Sequence, residues 1–496
     1  MKTKKRYIAL ALSATILLSG CGDSFLDTPQ YDAVDLDKGL TDASSVSYAL
    51  NGTYNRLLSY GSAGNYATLL GDYGSDLVYN GGGFGSHITT IYQFSYSDTE
   101  GCFNSIWDYN YKVADNAARV ILACERLLSE ENERDANSLR MYEAEARCLR
   151  AFVSLQLANV FCHQVKVDGT DYSSLPGIVI IDNPIQAYEH VKRSSLGETY
   201  QQIVDDLQKA ISLFEISGDR GNLYYFSKKA AYGVLARAYL YLEKWEEAAT
   251  AANNALKEAG ISTLVYDAVQ YKALYNGGKS NTESMFALAI SEIDNNGENS
   301  SGNFFSNYGY SISPYLYGLY GNEDCRKVIF GFKNNASWWG MTSIFNGGKF
   351  GDFGESSPNP KLATNYLVNA PEMFLIEAEA YTRLNKIEDA RQALLVVAKR
   401  NNAITSVDDL PASSDGLMQF IYEERARELV QEGFRLWDLR RWNIPANLFA
   451  YRAPNVMFRY TDKRLGNLVF PIPAGEVNAG FGVEQNENWS ESMPSN

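Results

Sequence analysis

The stretch Leu242-Glu243-Lys244-Trp245-Glu246-Glu247-Ala248 returns 142 residues later as Leu384-Asn385-Lys386-Ile387-Glu388-Asp389-Ala390, and the reading of the fold starts there. Each copy lies between two apolar stripes. Ala231, Val234, Leu235, Ala238, Tyr239 and Leu242 precede the first copy, and Ala248, Ala252 and Ala255 run through and past its end. Ala378 and Tyr381 precede the second, and Ala390, Leu394 and Val397 run on from its last residue. Recurrence at three- and four-residue steps marks a helix with one buried face, and the short polar interruption marks a turn. Residues 230–259 and 371–399 therefore read as two helical hairpins. Small residues let the paired helices approach closely, and the tyrosine wedges between hairpins.

The same rhythm predicts helices over 41–59, with Thr41 or Asp42 as cap, over 103–129, over 138–161 and over 196–214. Ser195 and Glu198 are spaced as a capping box for the last of these. Residues 415–442 read as one more helical region, rich in charge and interrupted by Gly433; Glu423 with Arg427, Arg425 with Glu428, and Arg435 with Asp438 are the expected ion pairs, and Arg441 needs an acid. Residues 60–100, rich in Gly, Tyr and Ser, read as a long exposed loop, and 163–194 as irregular. The hairpins resemble the tetratricopeptide repeat, a pair of antiparallel helices with a period of about 34 residues. An offset of 142 is no tandem array, so something large separates the units. That insertion is about 260–370. Of the 68 residues from Ile293 to Pro360, 14 are Phe, Tyr or Trp, set among Asn, Gly and Ser, and loops with few strands are expected. Aromatic enrichment argues against disorder, and long loops in compact folds tend to be functional.

The chain has 496 residues with 45% apolar and 21% charged side chains, enough for a large core. Its net charge of −15 leaves no electrostatic footprint for nucleic acid or anionic lipid. Lys2, Lys4, Lys5 and Arg6 precede a mostly apolar stretch from Tyr7 to Leu18, too short to span a bilayer, which takes about 20 residues. Leu18-Ser19-Gly20-Cys21 then resembles a bacterial lipobox, so residues 1–20 read as a lipoprotein signal, Cys21 as the lipidated N-terminus and 21–40 as a tether. Several acyl chains hold a protein on a membrane where one binds marginally. Five further cysteines lack any C-x-x-C pair; buried, inert thiols are the reading for Cys124 and Cys148.

These segments in this order resemble the SusD/RagB family of surface nutrient-binding lipoproteins. The resemblance rests on the lipobox with Asp23, Phe25, Leu26 and Asp27 behind it, on Trp107 to Asn116, Glu145 to Phe161, the hairpin 230–259, Glu424 to Trp442, and Pro471-Ile472-Pro473 with Gln485-Asn486. Glu487 and Asn488 depart from the usual proline and glycine of the tail. The resemblance implies a mainly α fold of tetratricopeptide-like hairpins, 41–496 as one domain, with scaffold at 41–259 and 371–442, a ligand-face insertion at 260–370 and a C-terminal segment at 443–496. It also implies a non-enzyme on the outer face of the outer membrane, held by its lipid alone. There it would act as a lid on a SusC-like TonB-dependent transporter, capturing glycans or, in some members, peptides.

Neutral glycans are gripped by rings stacked on sugar faces and by amides, carboxylates and hydroxyls meeting sugar hydroxyls. Trp338 and Trp339 are the leading candidates; Tyr315, Tyr317 and Tyr320 form a second platform or core of the insertion, and Tyr79 and Phe84 flank a triple glycine. Asp72, Asp76, Asn80 and Asn346 are candidate polar partners. Trp107, Trp245, Trp437 and Trp442 read as structural. No metal or cofactor is expected. Asn276-Gly277-Gly278-Lys279-Ser280 lacks the first glycine of a P-loop, which falls on Ala273. His87, His163 and His190 are scattered, and no EF-hand loop is present. The rival reading is a surface glycoside hydrolase, whose paired acids are not recognisable in one sequence.

Overall fold

The computed structural model describes residues 39–80, 88–129, 134–276, 281–308, 310–330, 347–351, 359–453 and 456–494. In it the two echoing stretches are hairpins of one construction. Helices α7 (Lys228–Tyr241) and α8 (Trp245–Ala259) form the first, α12 (Ala370–Arg383) and α13 (Ile387–Ala398) the second. Each turn places its second residue in the left-handed region, Glu243 at φ 54° and Asn385 at φ 57°. Lys244 N–H donates to Tyr239 O and Glu243 N–H to Leu240 O; Lys386 and Asn385 repeat this on Tyr381 and Thr382. This is the Schellman closure, which satisfies the last carbonyls of a helix.

The other helices are α1 (Ala43–Leu58), α2 (Tyr66–Tyr73), α3 (Thr89–Tyr92), α4 (Gly101–Ser129), α5 (Ala136–Phe161), α6 (Leu196–Ser217), α9 (Ala268–Leu274), α10 (Ser301–Asn307), α11 (Pro314–Leu319), α14 (Ser414–Leu429), α15 (Arg435–Trp442) and α16 (Ala474–Ala479). Both sequence-derived caps form: Asp42 and Ser195 each close a capping box, with Ser45 and Glu198. The packing order is a stack, α4 on α5, α5 on α6, α6 on α7, α7 on α8, α8 on α12, and α12 on α13 and α14, with α1 across α4 and α5. Strands are short and paired antiparallel: β1 (Val78–Asn80) with β5 (Tyr310–Ile312), β2 (Lys166–Val167) with β3 (Thr170–Asp171), β4 (Ser284–Ala287) with β6 (Tyr366–Asn369), and β7 (Pro445–Ala453) with β8 (Val456–Arg464). No helix among the described residues is long and apolar enough to cross a membrane.

Two expectations are corrected. The described residues of 60–100 are not an exposed loop: α2 lies inside, with Tyr66, Ala67, Leu69, Leu70 and Tyr73 buried. Gly64 and Gly71 are close-approach positions, since a Cβ on Gly71 would overlap the carbonyl oxygen of Gly433 and one on Gly64 that of Leu58. The charged region is two helices, broken where Gly433 interrupts it, and there the expectation that fails is the ion pairing. Between α14 and α15 the chain turns at Gln431 (φ 65°) and Gly433 (φ 81°), and Asp72 Oδ2 accepts from both backbone N–H groups. Its ion pairs are mostly long-range. Glu423 does reach Arg427 at 3.5 Å, but Arg425 pairs with Asp438, Arg435 with Asp76, and Arg441 with Glu379 and Asp438. The buried faces of these helices look at other elements, so Arg425 and Arg435 find their carboxylates beyond their own helix, while Arg427 and Arg441 also keep an acid one turn away.

The C-terminal segment is clasped to the stack. Gln485 Oε1 accepts from Ile472 N–H and its Nε2 donates to Ile472 O, while Asn486 Nδ2 donates to the carbonyls of Phe161 and Phe470. Asn488 sits at φ 56°, so asparagine supplies the left-handed conformation that glycine otherwise would. Trp107 is buried and Cys102, Cys124, Cys148, Cys162 and Cys325 are buried free thiols.

Candidate functional site

The first part of the inserted region is bonded onto the α1–α2 turn by its own amides and hydroxyls. Asn296 Nδ2 donates to Leu58 O, Ser301 Oγ to Gly64 O and Asn365 Nδ2 to Ala63 O, and Asn65 Nδ2 returns a bond to Asn299 O. Backbone carbonyls in a tight turn need such partners once water is excluded. Behind these bonds lies an aromatic floor. Tyr66 and Tyr73, two turns apart on one face of α2, meet Phe304 at 6.0 and 5.9 Å; Tyr73 also meets Phe305 at 5.7 Å and Tyr310 at 4.8 Å, and Phe305 stacks on Phe350 at 5.7 Å. Offset and tilted rings at these separations add about 0.5–1.5 kcal/mol per pair beyond burial.

The second part is held by buried charge. Glu424 and Glu428, one turn apart on α14, receive Arg326 Nη1 at 2.8 and 2.9 Å, and Asp324 receives its Nη2 at 2.7 Å. Arg400 reaches Glu283 at 2.5 Å and Glu428 at 3.6 Å, and Lys349 pairs with Glu432. Burial alone would raise the Glu424 carboxyl, but Arg326 and Arg427 outweigh it and hold it down to about 2. Against this network pack Tyr271, Leu316, Tyr320, Ile329, Phe330 and Tyr366, a satellite core belonging to the insertion.

Described residues that border three undescribed stretches belong to this assembly. Asn80, before 81–87, pairs with Tyr310; Phe330, before 331–346, packs on Tyr320 at 5.7 Å; Phe350, just before 352–358, stacks on Phe305. Where 81–87 returns, at Ile88, a cleft of about 510 Å³ opens, lined by Tyr60, Tyr66, Ile88, Thr89, Thr90, Glu100, Gly101, Cys102, Ser105 and Asn299. Its aromatic wall is Tyr60, edge-on to Tyr66 and Tyr109 at 5.5 Å each. Thr90 Oγ1 donates to Glu100 Oε2 at 2.7 Å, fixing that carboxylate. Glu100 is the one acidic side chain lining the cleft among the described residues, whereas glycoside hydrolysis ordinarily takes two. A ring wall, one oriented carboxylate, an amide and hydroxyls are the chemistry of contact with a polyhydroxylated ligand.

Of the residues singled out from sequence, Cys21, Phe84, Trp338, Trp339 and Asn346 lie outside the described residues. Tyr79 and Asn80 are placed by their backbone in β1, opposite Ser311 and Tyr310. Tyr315 and Tyr317 are half-buried on α11, with Lys327 Nζ 5.2 Å from the Tyr317 ring. Tyr320 is not a platform: it is buried, its hydroxyl donates to Arg427 O at 2.8 Å, and Arg326 lies over its ring. Asp72 and Asp76 are buried as well, Asp76 in a two-point pair with Arg435 and Asp72 at the α14–α15 turn, where burial pushes its carboxyl up to about 7. Neither faces solvent. Sequence reasoning missed Tyr60, Tyr66, Glu100 and Asn299; the tyrosine surplus of 60–100 was the signal for the first two, and nothing marked the others.

Stacked helical hairpins carrying an inserted, ring-lined face define a binding scaffold. The chain belongs to the SusD/RagB family: the SusD family model matches residues 274–489, and a second model, described as starch-binding associating with outer membrane, matches residues 77–240. A SusD-like protein of Formosa agariphila is 23% identical over 363 residues, which cover 61% of this chain and 66% of that protein, just under two thirds of its length. The same fold occurs in a SusD superfamily protein of Bacteroides thetaiotaomicron (22% identity, TM-score 0.76, 90% of this chain and 100% of that one). It also occurs in a SusD-like carbohydrate binding protein of Bacteroides vulgatus (20% identity, TM-score 0.71, 92% and 98%).

Proposed function

We propose that the protein is a non-catalytic lipoprotein, anchored through Cys21 on the exterior of the outer membrane, that captures oligosaccharides and hands them to a SusC-like TonB-dependent transporter. The observation that carries this reading is the ring-walled cleft of Tyr60, Tyr66, Glu100 and Asn299, which shares Tyr66 with the floor beneath the inserted loops. The family's association with the outer membrane and the carbohydrate binding described for a protein of the same fold support it. Trp338 and Trp339, in the stretch that follows Phe330, supply further stacking rings in this reading, Tyr315, Tyr317, Tyr79 and Phe84 are additional candidates, and Asn80 and Asn346 are candidate polar partners.

The test is retardation of the mature chain in native gels holding amylopectin, xylan, galactomannan or β-glucan, with product analysis of the same mixtures. Retardation by at least one polymer without new reducing ends is expected. Replacing Trp338 and Trp339 together by alanine should weaken that retardation while the far-ultraviolet spectrum stays helical. Turnover abolished by a single carboxylate substitution would establish the hydrolase instead. Cys21→Ala should release the protein from membranes, and its persistence there would refute the anchor.

A further inference from the structure

A second cleft uses parts of the chain that the first does not. It holds about 930 Å³ between the 163–195 stretch and the C-terminal tail, and its lining includes His163, Leu175, Lys192, Asn467, Glu484 and Glu487. The two clefts share no lining residue. Its floor is built from satisfied polar groups. Arg193 donates Nε to Gly177 O, Nη1 to Glu484 O and Asn486 Oδ1, and Nη2 to Phe161 O and Pro176 O, all at 2.7–3.3 Å, so its donors are consumed inside the protein. A floor fixed in this way loses little further freedom when a ligand arrives.

Beside the cleft stands the most exposed large aromatic side chain of the described residues. Tyr188 is 84% exposed and sits at φ 64°. Glu189 N–H donates to Gln186 O, and Glu189 Oε2 accepts from Gln186 N–H, which closes the turn that holds it. A bulky residue in the left-handed region is strained, and such strain gathers at binding sites. The ring lies 6.1 Å from Phe481, and His190 lies 5.7 Å from the same ring. Val191 N–H donates to Phe481 O at 2.8 Å, and Gly482, at φ 97°, leaves no room for a Cβ against Val191 O, so the aromatic step is bonded directly to the cleft wall.

The chemistry selects the ligand class. Glu484, Glu487 and Glu491 face Lys192 and an Arg193 already spent on carbonyls, so an anion meets a net negative rim. Apolar lining is confined to Leu175, Pro176 and Val469. An uncharged polyhydroxylated chain fits both features: its C–H face packs on an open ring, and its hydroxyls donate to carboxylates and accept from amides. We propose that this cleft is a second contact site for neutral oligosaccharides, with Tyr188 as the stacking ring and Glu484, Glu487 and Asn467 as hydroxyl partners. The proposal rests on the glycan-capture reading above and adds to it a site remote from the inserted loops.

Isothermal titration of the mature chain with malto-, cello-, xylo- and mannohexaose tests it. At least one hexasaccharide should bind at two sites per chain. Tyr188→Ala, at an exposed position that leaves the core untouched, should leave one site and weaken retardation by the matching polymer roughly three- to tenfold. The Trp338→Ala/Trp339→Ala chain should keep the Tyr188 site. Hydrogen exchange with the bound hexasaccharide should show protection at 186–193 and 481–492. Stoichiometry unchanged by Tyr188→Ala, or protection absent from both segments, overturns the second site while leaving capture at the inserted face standing. Binding of none of the four hexasaccharides and no retardation by any polymer overturns both.

Discussion

Arg326→Met tests whether buried charge holds the insertion on the scaffold. The guanidinium serves Asp324, Glu424 and Glu428, and all four side chains are 1% exposed. Removing one partner of a buried pair costs about 3–5 kcal/mol, because the other charge is left without compensation. Here the loss does not triple. Glu424 keeps Arg427 at 2.7 Å and Glu428 keeps Arg400 at 3.6 Å, so Asp324 is the carboxylate stranded. The expected cost is therefore that of one broken pair, about 3–5 kcal/mol, read from urea unfolding of the mature chain at pH 7.5. Lys112→Met removes an ion pair whose side chains are 50% and 52% exposed, and should cost under about 1 kcal/mol. The deficit also has a pH signature. In the parent, Glu424 is held down to about 2, so its contribution is present above the ordinary carboxylate range and is lost only as pH falls toward 2. In the variant the carboxylates have one cation fewer, a proton takes its place on acidification, and the gap to the parent should narrow between pH 7.5 and 5. A loss no larger than that of Lys112→Met, or a gap that is flat with pH, refutes the argument.

Gly433→Ala should lower the thermal midpoint sharply. The residue sits at φ 81°, where a side chain costs about 1–2 kcal/mol, and the new Cβ would overlap the carbonyl oxygen of Thr68 in α2; a cost below about 1 kcal/mol would refute the close-approach reading. Stability should rise as pH falls from 8 to 5. Burial pushes Asp72, Glu145 and Glu377 up to about 7, so each favours the folded state fully below the ordinary carboxylate range and loses that contribution as pH rises through 7. Asp72→Asn should flatten part of this slope, and a midpoint that falls on acidification from 8 to 5 would contradict it.

What was legible in the sequence is what depends on neighbours along the chain. The hairpins at 228–259 and 370–398 declare themselves because period, turn and cap are all local, and the same Schellman bonds close both. Ser195 with Glu198 is legible for the same reason. The 60–100 stretch misleads because glycine signals a turn unless its reason is close packing, and the backbone that crowds Gly71 belongs to Gly433, more than 350 residues away. Charge pairing misleads in the same way: Arg435 has Asp438 one turn on, yet its carboxylate is Asp76. The candidate face was legible as a composition and not as a set of residues. Tyr315, Tyr317 and Tyr320 look alike in sequence, but Tyr320 turns inward over Arg326, a cation supplied by the insertion for the acids of α14. The socket that carries the face is thus specified by long-range charge and close-packed glycine, and the same long-range contacts decide which of these tyrosines turns inward.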